Sequence, residues 1–248
     1  MWCDYEANYR DSLQDPAFLA WRELGARRKA ENILRVCSEI ARPASIVEIG
    51  CGTGSVIRAL HAMNFAQEYC CVDLSPSAVT FARNSSPAFT DRALAGRADA
   101  LPFSAGAFDL AILSHVIEHL DDPISALSEA ARVAHYIVVE VPTEKVLSNF
   151  VRTKVLRRPY PSIAGAGHVQ FWSPSSIVSF LERDAHFEIV NRYQDLLDGE
   201  IDQGHSTRRD SRALLKGGLR NFLPAVVYSR LLTTHYTFLC RKNTVLVG

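Results

Sequence analysis

The sequence predicts an α/β protein built on a doubly wound, mostly parallel sheet with helices on both faces, and three observations predict it. From Ser45 to Val141, short apolar runs alternate with helix-like segments, the order of strands joined by crossover helices. Three helix starts place a capping side chain before a proline, at Ser75-Pro76, Asp122-Pro123 and Ser173-Pro174. Proline suits the first helical position because its missing N–H would have no helical partner there. A glycine-rich turn, Gly50-Cys51-Gly52-Thr53-Gly54, joins the first apolar run to the next helix. With 248 residues, 48% of them apolar, the chain can bury one sizeable core.

Taken in order, residues 1–43 read as an N-terminal helical cap. Phe18, Leu19, Trp21 and Leu24, then Ile33, Leu34, Val36, Cys37 and Ile40, recur at three- and four-residue intervals. That spacing predicts Trp21 in the core, and Pro43 stops the pattern. Tyr5 and Tyr9 precede the long helix and read as exposed aromatics rather than a lid over a site. Residues 44–248 form the main domain. Its strands are Ser45–Ile49, Tyr69–Val72, a weaker one within Arg92–Ala98, Phe108–Leu113, Tyr136–Val141, Phe187–Tyr193 and Tyr236–Cys240, seven in all. Helices are expected over Ser55–Met63 and Ser175–Asp184, with irregular insertions at about 143–172 and 194–234. Phe171 and Trp172 read as packing anchors.

The charge balance narrows the partners. Lys plus Arg equals Asp plus Glu, at 27 each, so no basic field attracts nucleic acid. The six cysteines fit free thiols in a reducing cytoplasm, with neighbouring Cys70 and Cys71 on opposite faces of one strand. No Cys-x-x-Cys pair marks a metal centre, and no metal is expected. Neither a leader peptide nor a membrane-spanning run is visible, so a cytoplasmic enzyme is expected. Residues 208–233 mix leucines with Arg208, Arg209, Arg212, Lys216 and Arg220. Such a basic amphipathic stretch reads as a substrate lid or a homodimer face before a membrane-surface contact.

The glycine turn opens a helix, where backbone N–H groups and the positive helix end suit a carboxylate or phosphate. Its spacing differs by one residue from the dinucleotide fingerprint G-x-G-x-x-G. The form Glu48-x-Gly50-x-Gly52-x-Gly54, with Asp73 ending the second strand, Asp99 in Ala98-Asp99-Ala100-Leu101-Pro102-Phe103 and the stretch Phe108 to Leu120, resembles the class I S-adenosylmethionine-dependent methyltransferases over residues 45–142. The resemblance implies a final antiparallel strand and S-adenosylmethionine as cofactor, with S-adenosylhomocysteine as product. It implies that backbone at Gly50, Cys51, Gly52 and Gly54 contacts the methionine part and that Glu48 holds its amino end. Asp73 would bind the ribose and Leu74 would pack on the adenine. Asp99, Ala100 and Leu101 would read the adenine edge, and the Ser114 carbonyl would meet the amino group.

Methyl transfer from a sulfonium needs orientation more than covalent help from the protein, and a base only where the acceptor must lose a proton. His115 lies just past the fourth strand, where open α/β sheets bind ligands. His168, in Gly167-His168-Val169-Gln170-Phe171-Trp172-Ser173-Pro174, resembles a stretch found after the fifth strand in small-molecule methyltransferases. These two are the catalytic candidates; Glu118 reads as a structural acceptor and His119 as a buttress of the turn. The expected function is biosynthetic methylation of a small-molecule, glycan or carrier-linked acceptor, at oxygen. The alternatives are an NAD(P)-dependent oxidoreductase, opposed by the glycine spacing, and a non-catalytic cofactor-binding protein.

Overall fold

A computed structural model describes residues 5–143, 168–195 and 234–243. Two helices lead the chain, α1 (Tyr5–Ser12) and α2 (Pro16–Val36). There follow β1 (Ser45–Ile49), α3 (Ser55–Ala62), β2 (Glu68–Asp73), α4 (Pro76–Ser85), β3 (Ala93–Ala95), β4 (Phe108–Ser114), α5 (Pro123–Val133) and β5 (Ala134–Thr143). After them come α6 (Pro174–Ser179), β6 (Phe187–Asp195) and β7 (Thr234–Lys242). The strands form one seven-stranded sheet in the order β3-β2-β1-β4-β5-β7-β6. The first five are parallel; β7 runs antiparallel between β5 and β6. The insertions at 144–167 and 196–233, with the basic stretch 208–233, lie outside the described residues.

The three proline-preceded caps form as the sequence predicts. Ser75 accepts from Ala78 N–H, Asp122 from Ser125 N–H and Ser173 from Ser176 N–H, each with proline at the start of its helix. A fourth cap, Asp15 before Pro16, starts α2. The last helix ends at Asp184 as expected, but after Ser179 it widens from α into a π turn over Phe180–Asp184.

Strand alternation sorts the core into two layers. Val47, Cys70, Leu113, Val139 and Phe238 face Leu127 and Val133 of α5 and Ile177 of α6. Ile46, Cys71, Ile112, Val138 and Leu239 face Ala30, Ile33 and Val36 of α2 together with α3 and α4. Cys70 and Cys71 fall in opposite layers, and the five described cysteines are free and buried. On α2 the buried stripe is Ala26, Ala30, Asn32, Ile33 and Val36, so the predicted pattern holds at Ile33, Val36 and the following Cys37 but not at Trp21 and Leu24. Trp21 is 44% exposed and Leu24 is exposed too, because periodicity marks a helical face but not whether a layer covers it. Phe171, expected to pack, is likewise exposed, whereas Trp172 is buried against Phe180 with ring centroids 4.6 Å apart.

One tie fixes α2 on the sheet. Arg28 grips both carboxylate oxygens of Asp195 at the end of β6, and Asn32 donates to the same group at 3.0 Å. Burial pushes the Asp195 carboxyl up, but these bonds outweigh it and hold the group below its ordinary value.

Candidate active site

Strand order reverses between β1 and β4, so the loops after these two strands flank the crevice where doubly wound sheets take ligands. The turn after β1 folds back on its neighbour: Gly50 and Cys51 N–H both donate to the Val72 carbonyl, at 2.8 and 3.1 Å. Gly50 adopts φ +73°, and a Cβ there would sit 2.6 Å from Val116 Cγ2, in the turn after β4. Only glycine lets the two loops approach so closely.

Asp73 anchors this turn. Its Oδ2 accepts from Gly52 N–H at 2.6 Å and its Oδ1 from Ser75 N–H at 2.9 Å. The carboxylate is 8% exposed, and burial raises its pKa against the pull of those two N–H groups. Leu74 beside it is 51% exposed, an apolar side chain open to a ligand. Glu48 ends up beneath the start of α3, accepting from Ile57 N–H at 3.0 Å. Burial lifts its pKa to about 8, opposed by Arg22 and Lys29.

The adenine-edge candidates sit in the loop after β3. Asp99 is exposed and bound through both oxygens to Arg97, at 2.8 and 2.6 Å, which holds its carboxyl low. The Leu101 N–H donates to Glu129 at 2.8 Å, and the Ala100 N–H reaches the Arg97 carbonyl at 3.3 Å. Leu101 itself is buried.

The turn after β4 carries the other group. Ser114 Oγ donates to Glu140 Oε2 at 2.5 Å. His115 turns the chain at φ +58°, and its Nδ1 lies 3.1 Å from Glu118 Oε1. Burial drives His115 well below its ordinary pKa, so the ring is neutral. The Glu118 carbonyl accepts from Val169 and Gln170 N–H at 2.8 and 2.9 Å, which seats the His168 segment on this turn. There the His168 ring meets the His119 ring edge-on, with centroids 4.7 Å apart. Burial lowers the His168 pKa, so it too is neutral near pH 7.

Several residues escape the sequence reading. Tyr9, read as exposed, is half-buried over the glycine turn: a Cβ on Gly52 would strike its Oη and the Arg22 guanidinium. Burial pushes the Tyr9 phenol up to about 12. Arg22 Nε is buried without a partner. Seven residues on along α2, Lys29 is held below its ordinary pKa by burial, against the pull of Glu140, Glu118 and Glu48. Glu140 and His235 were also missed. A lone acid in the apolar run of β5 was the visible signal for Glu140; a signal for Arg22 and Lys29 was their seven-residue spacing, which puts both on one helical face. His115 and His119 stand at His-x-x-x-His spacing, to which the sequence reading gave no metal role. Among the described residues two groups have metal-ligand character: His115, Glu140 and His235, and Glu118, His119 and His168. No described helix is long and apolar enough to cross a membrane.

Comparison with known proteins bears on the family and the fold. The family model described as a methyltransferase domain matches residues 19–191. A malonyl-[acyl-carrier protein] O-methyltransferase of Hahella chejuensis (strain KCTC 2396) is 27% identical over 109 residues. That match spans 44% of this chain and 39% of the relative, so the chain matches about two fifths of that relative's length. The geranyl diphosphate C-methyltransferase of Streptomyces coelicolor A3(2), solved with Mg2+, geranyl-S-thiolodiphosphate and S-adenosyl-L-homocysteine, superposes with a TM-score of 0.59 at 14% identity. The superposition covers 87% of this chain and 76% of that one. The [4+2]-cyclase SpnF shares the fold as well, with a TM-score of 0.57 at 17% identity over 87% of this chain and 80% of that one. One architecture thus hosts more than one reaction, and the site must decide between them.

Proposed function

The chain belongs to the methyltransferase domain family as a class I S-adenosylmethionine-dependent methyltransferase, and from that premise we propose that it methylates an oxygen of a small-molecule, glycan or carrier-linked acceptor. The observation that carries this reading is the neutral histidine pair on the turn after β4. In this reading His115, with Glu118 Oε1 3.1 Å from its Nδ1, and His168, seated on the same turn, flank the acceptor. The named activity of the Hahella relative, methyl transfer to oxygen of a carrier-bound malonyl group, supports the same acceptor class.

In this reading the glycine turn and Asp73 hold the cofactor. Backbone at Gly50, Cys51, Gly52 and Gly54 follows the methionine part, Glu48 and the Ser114 carbonyl face its amino end, and Arg22, whose Nε is buried without a partner, offers its guanidinium to the carboxylate. Asp73 and Leu74 take the ribose and adenine faces; Asp99, Ala100 and Leu101 lie at the adenine edge. Asp99 must share its carboxylate with Arg97 to do so. Tyr9 closes over the turn and excludes water from it.

The cofactor carries the activated methyl group. The protein aligns the acceptor oxygen behind it, with His115 lining that side of the site: a carboxylate acceptor is already ionised and needs no base, whereas a hydroxyl acceptor loses its proton to neutral His168, which later passes it to solvent. The products are the methylated oxygen and S-adenosylhomocysteine.

The test is incubation of the purified chain with methyl-labelled S-adenosylmethionine and two probes, a malonyl-loaded carrier protein and a panel of small hydroxy and carboxylic acids. Label recovered in a base-labile methyl ester or in a methyl ether supports the reading. Label on carbon or nitrogen, or cofactor binding without transfer to any probe, counts against it. With a hydroxyl acceptor, His168→Ala is expected to lower kcat by about 10²- to 10⁴-fold, the range for a lost general base.

A further inference from the structure

We propose that His115, Glu140 and His235 bind one divalent first-row transition metal ion at the carboxyl edge of β4 and β5, where β7 begins. One donor atom from each lies within 4.8 Å of the other two. The sheet brings them together. Ser114 is the register partner of Glu140, so His115 leaves β4 directly beside that carboxylate. His235 pairs with Pro142, two residues past Glu140 on β5. Strand alternation then puts Glu140 and His235 on the α2 face, in step with Val138 and Leu239.

The donors that would face the ion are the ones left over. His115 Nε2 and Glu140 Oε1 are buried without a hydrogen-bond partner, and Glu140 is fully shielded from solvent. Leaving such groups unpaired is costly, so an occupant that satisfies them stabilises the fold. Ser114 holds Glu140 Oε2, and Glu118 Oε1 lies 3.1 Å from His115 Nδ1, although neither Glu118 oxygen makes a hydrogen bond. A carboxylate behind the second ring nitrogen is the usual support of a metal-binding histidine. The rings of His115 and His235 meet edge-on with centroids 4.6 Å apart, so small side-chain rotations can aim their nitrogens at one point. Bonds of about 2.0–2.2 Å place donors roughly 3–3.5 Å apart, a modest contraction from the separation seen.

The donor chemistry selects the ion. Two imidazoles and one carboxylate favour zinc, iron or cobalt over magnesium or calcium, which take oxygen donors. Three protein ligands leave open positions for a substrate oxygen. Lys29 is the rival source of positive charge, acting on Glu140 at a distance but leaving Oε1 unbonded. The second trio, Glu118, His119 and His168, shares Glu118 with this arrangement, and Glu118 serves as the outer support. An ion here would draw the acceptor oxygen toward ionisation, a role that rests on the oxygen-methylation reading; binding of the ion does not.

The experiment uses the full chain stripped with chelator and titrated with Co2+ alone, followed by calorimetry and visible absorption. One Co2+ per chain, with d–d bands of nitrogen and oxygen ligation, is expected. His115→Asn, which tolerates the left-handed backbone, Glu140→Gln and His235→Asn should each weaken binding by more than about 100-fold, and Glu118→Gln by about 10- to 100-fold. His168→Ala should leave Co2+ affinity unchanged. X-ray absorption of the Co2+-loaded wild-type chain should show two imidazoles, which serves where a variant fails to fold. No Co2+ binding overturns the proposal, and so does binding that survives the three ligand variants or that His168→Ala abolishes. S-adenosylhomocysteine binding and methyl transfer, measured on the same samples, report on the parent reading separately. Their failure with Co2+ still bound sinks only that reading, and their success without Co2+ binding sinks only this one.

Discussion

Replacing Asp73 by Ala perturbs the fold and the cofactor at one position, and the structure separates the two effects. The carboxylate holds the Gly52 and Ser75 N–H groups, at 2.6 and 2.9 Å, in a place only 8% exposed. Removing it strands two largely buried donors, each costing about 1–3 kcal/mol, so Asp73→Ala should lose about 2–6 kcal/mol of stability. For a chain of this size that is a fall in Tm of roughly 5–20 °C. The ribose contact adds a separate loss of about 1–3 kcal/mol, read as about 5- to 150-fold weaker S-adenosylhomocysteine binding. Asp73→Asn keeps one acceptor oxygen but turns an amide NH2 toward the other N–H, so it should fall between wild type and Ala on both scales. Thermal unfolding without ligand gives the first quantity, and calorimetry well below the variant's Tm gives the second. An Asp73→Ala chain as stable as wild type would refute the anchoring of the turn. Unchanged affinity in that folded variant would refute the ribose assignment.

Three further outcomes are expected. Glu48, lifted by burial to about 8 among Arg22, Lys29 and Asp73, keeps its proton when folded and loses it when unfolded. Its contribution therefore declines as pH rises from its ordinary 4.5 toward 8, and Glu48→Gln should flatten that part of the stability profile. If the cofactor's amino group ionises Glu48, binding at pH 7 releases roughly 0.9 proton, measurable by calorimetry in buffers of different ionisation heat; zero release in every buffer would sink the contact. Arg22→Ala should weaken cofactor binding by about 10- to 150-fold, as for a lost charge-assisted bond, with Arg22→Lys intermediate. Asp195→Ala leaves Arg28 and Asn32 without their shared acceptor and should cost about 3–5 kcal/mol in chemical denaturation; a loss under about 0.5 kcal/mol would show that α2 is held by its apolar face alone.

Much of the proposed cofactor side was legible as local structure, because its signals are local. The glycine turn with Glu48, and the capping pairs Ser75-Pro76 and Asp122-Pro123, are written in adjacent residues whose backbone needs no distant partner. Asp73 was legible by position, at the end of a strand, although its grip on Gly52 was not. The other side was not legible because nothing local announces it. Tyr9 read as an exposed aromatic ahead of the long helix and Arg22 drew no reading, yet both reach Gly52 in the fold. Trp21 and Phe171 carry a core-like pattern but are exposed, with no layer over them among the described residues.

By itself the sequence determined the alternation of seven strands with helices, the caps that start those helices and the glycine turn after the first strand. All of these follow from side-chain period and from the backbone demands of glycine and proline. The tertiary structure alone decided that Glu140 and His235, 95 residues apart in the chain, stand beside His115. That meeting depends on β7 running antiparallel against β5, with Pro142 opposite His235. Strand period says which side chains share a face, but only the pairing of strands says which of them share a point.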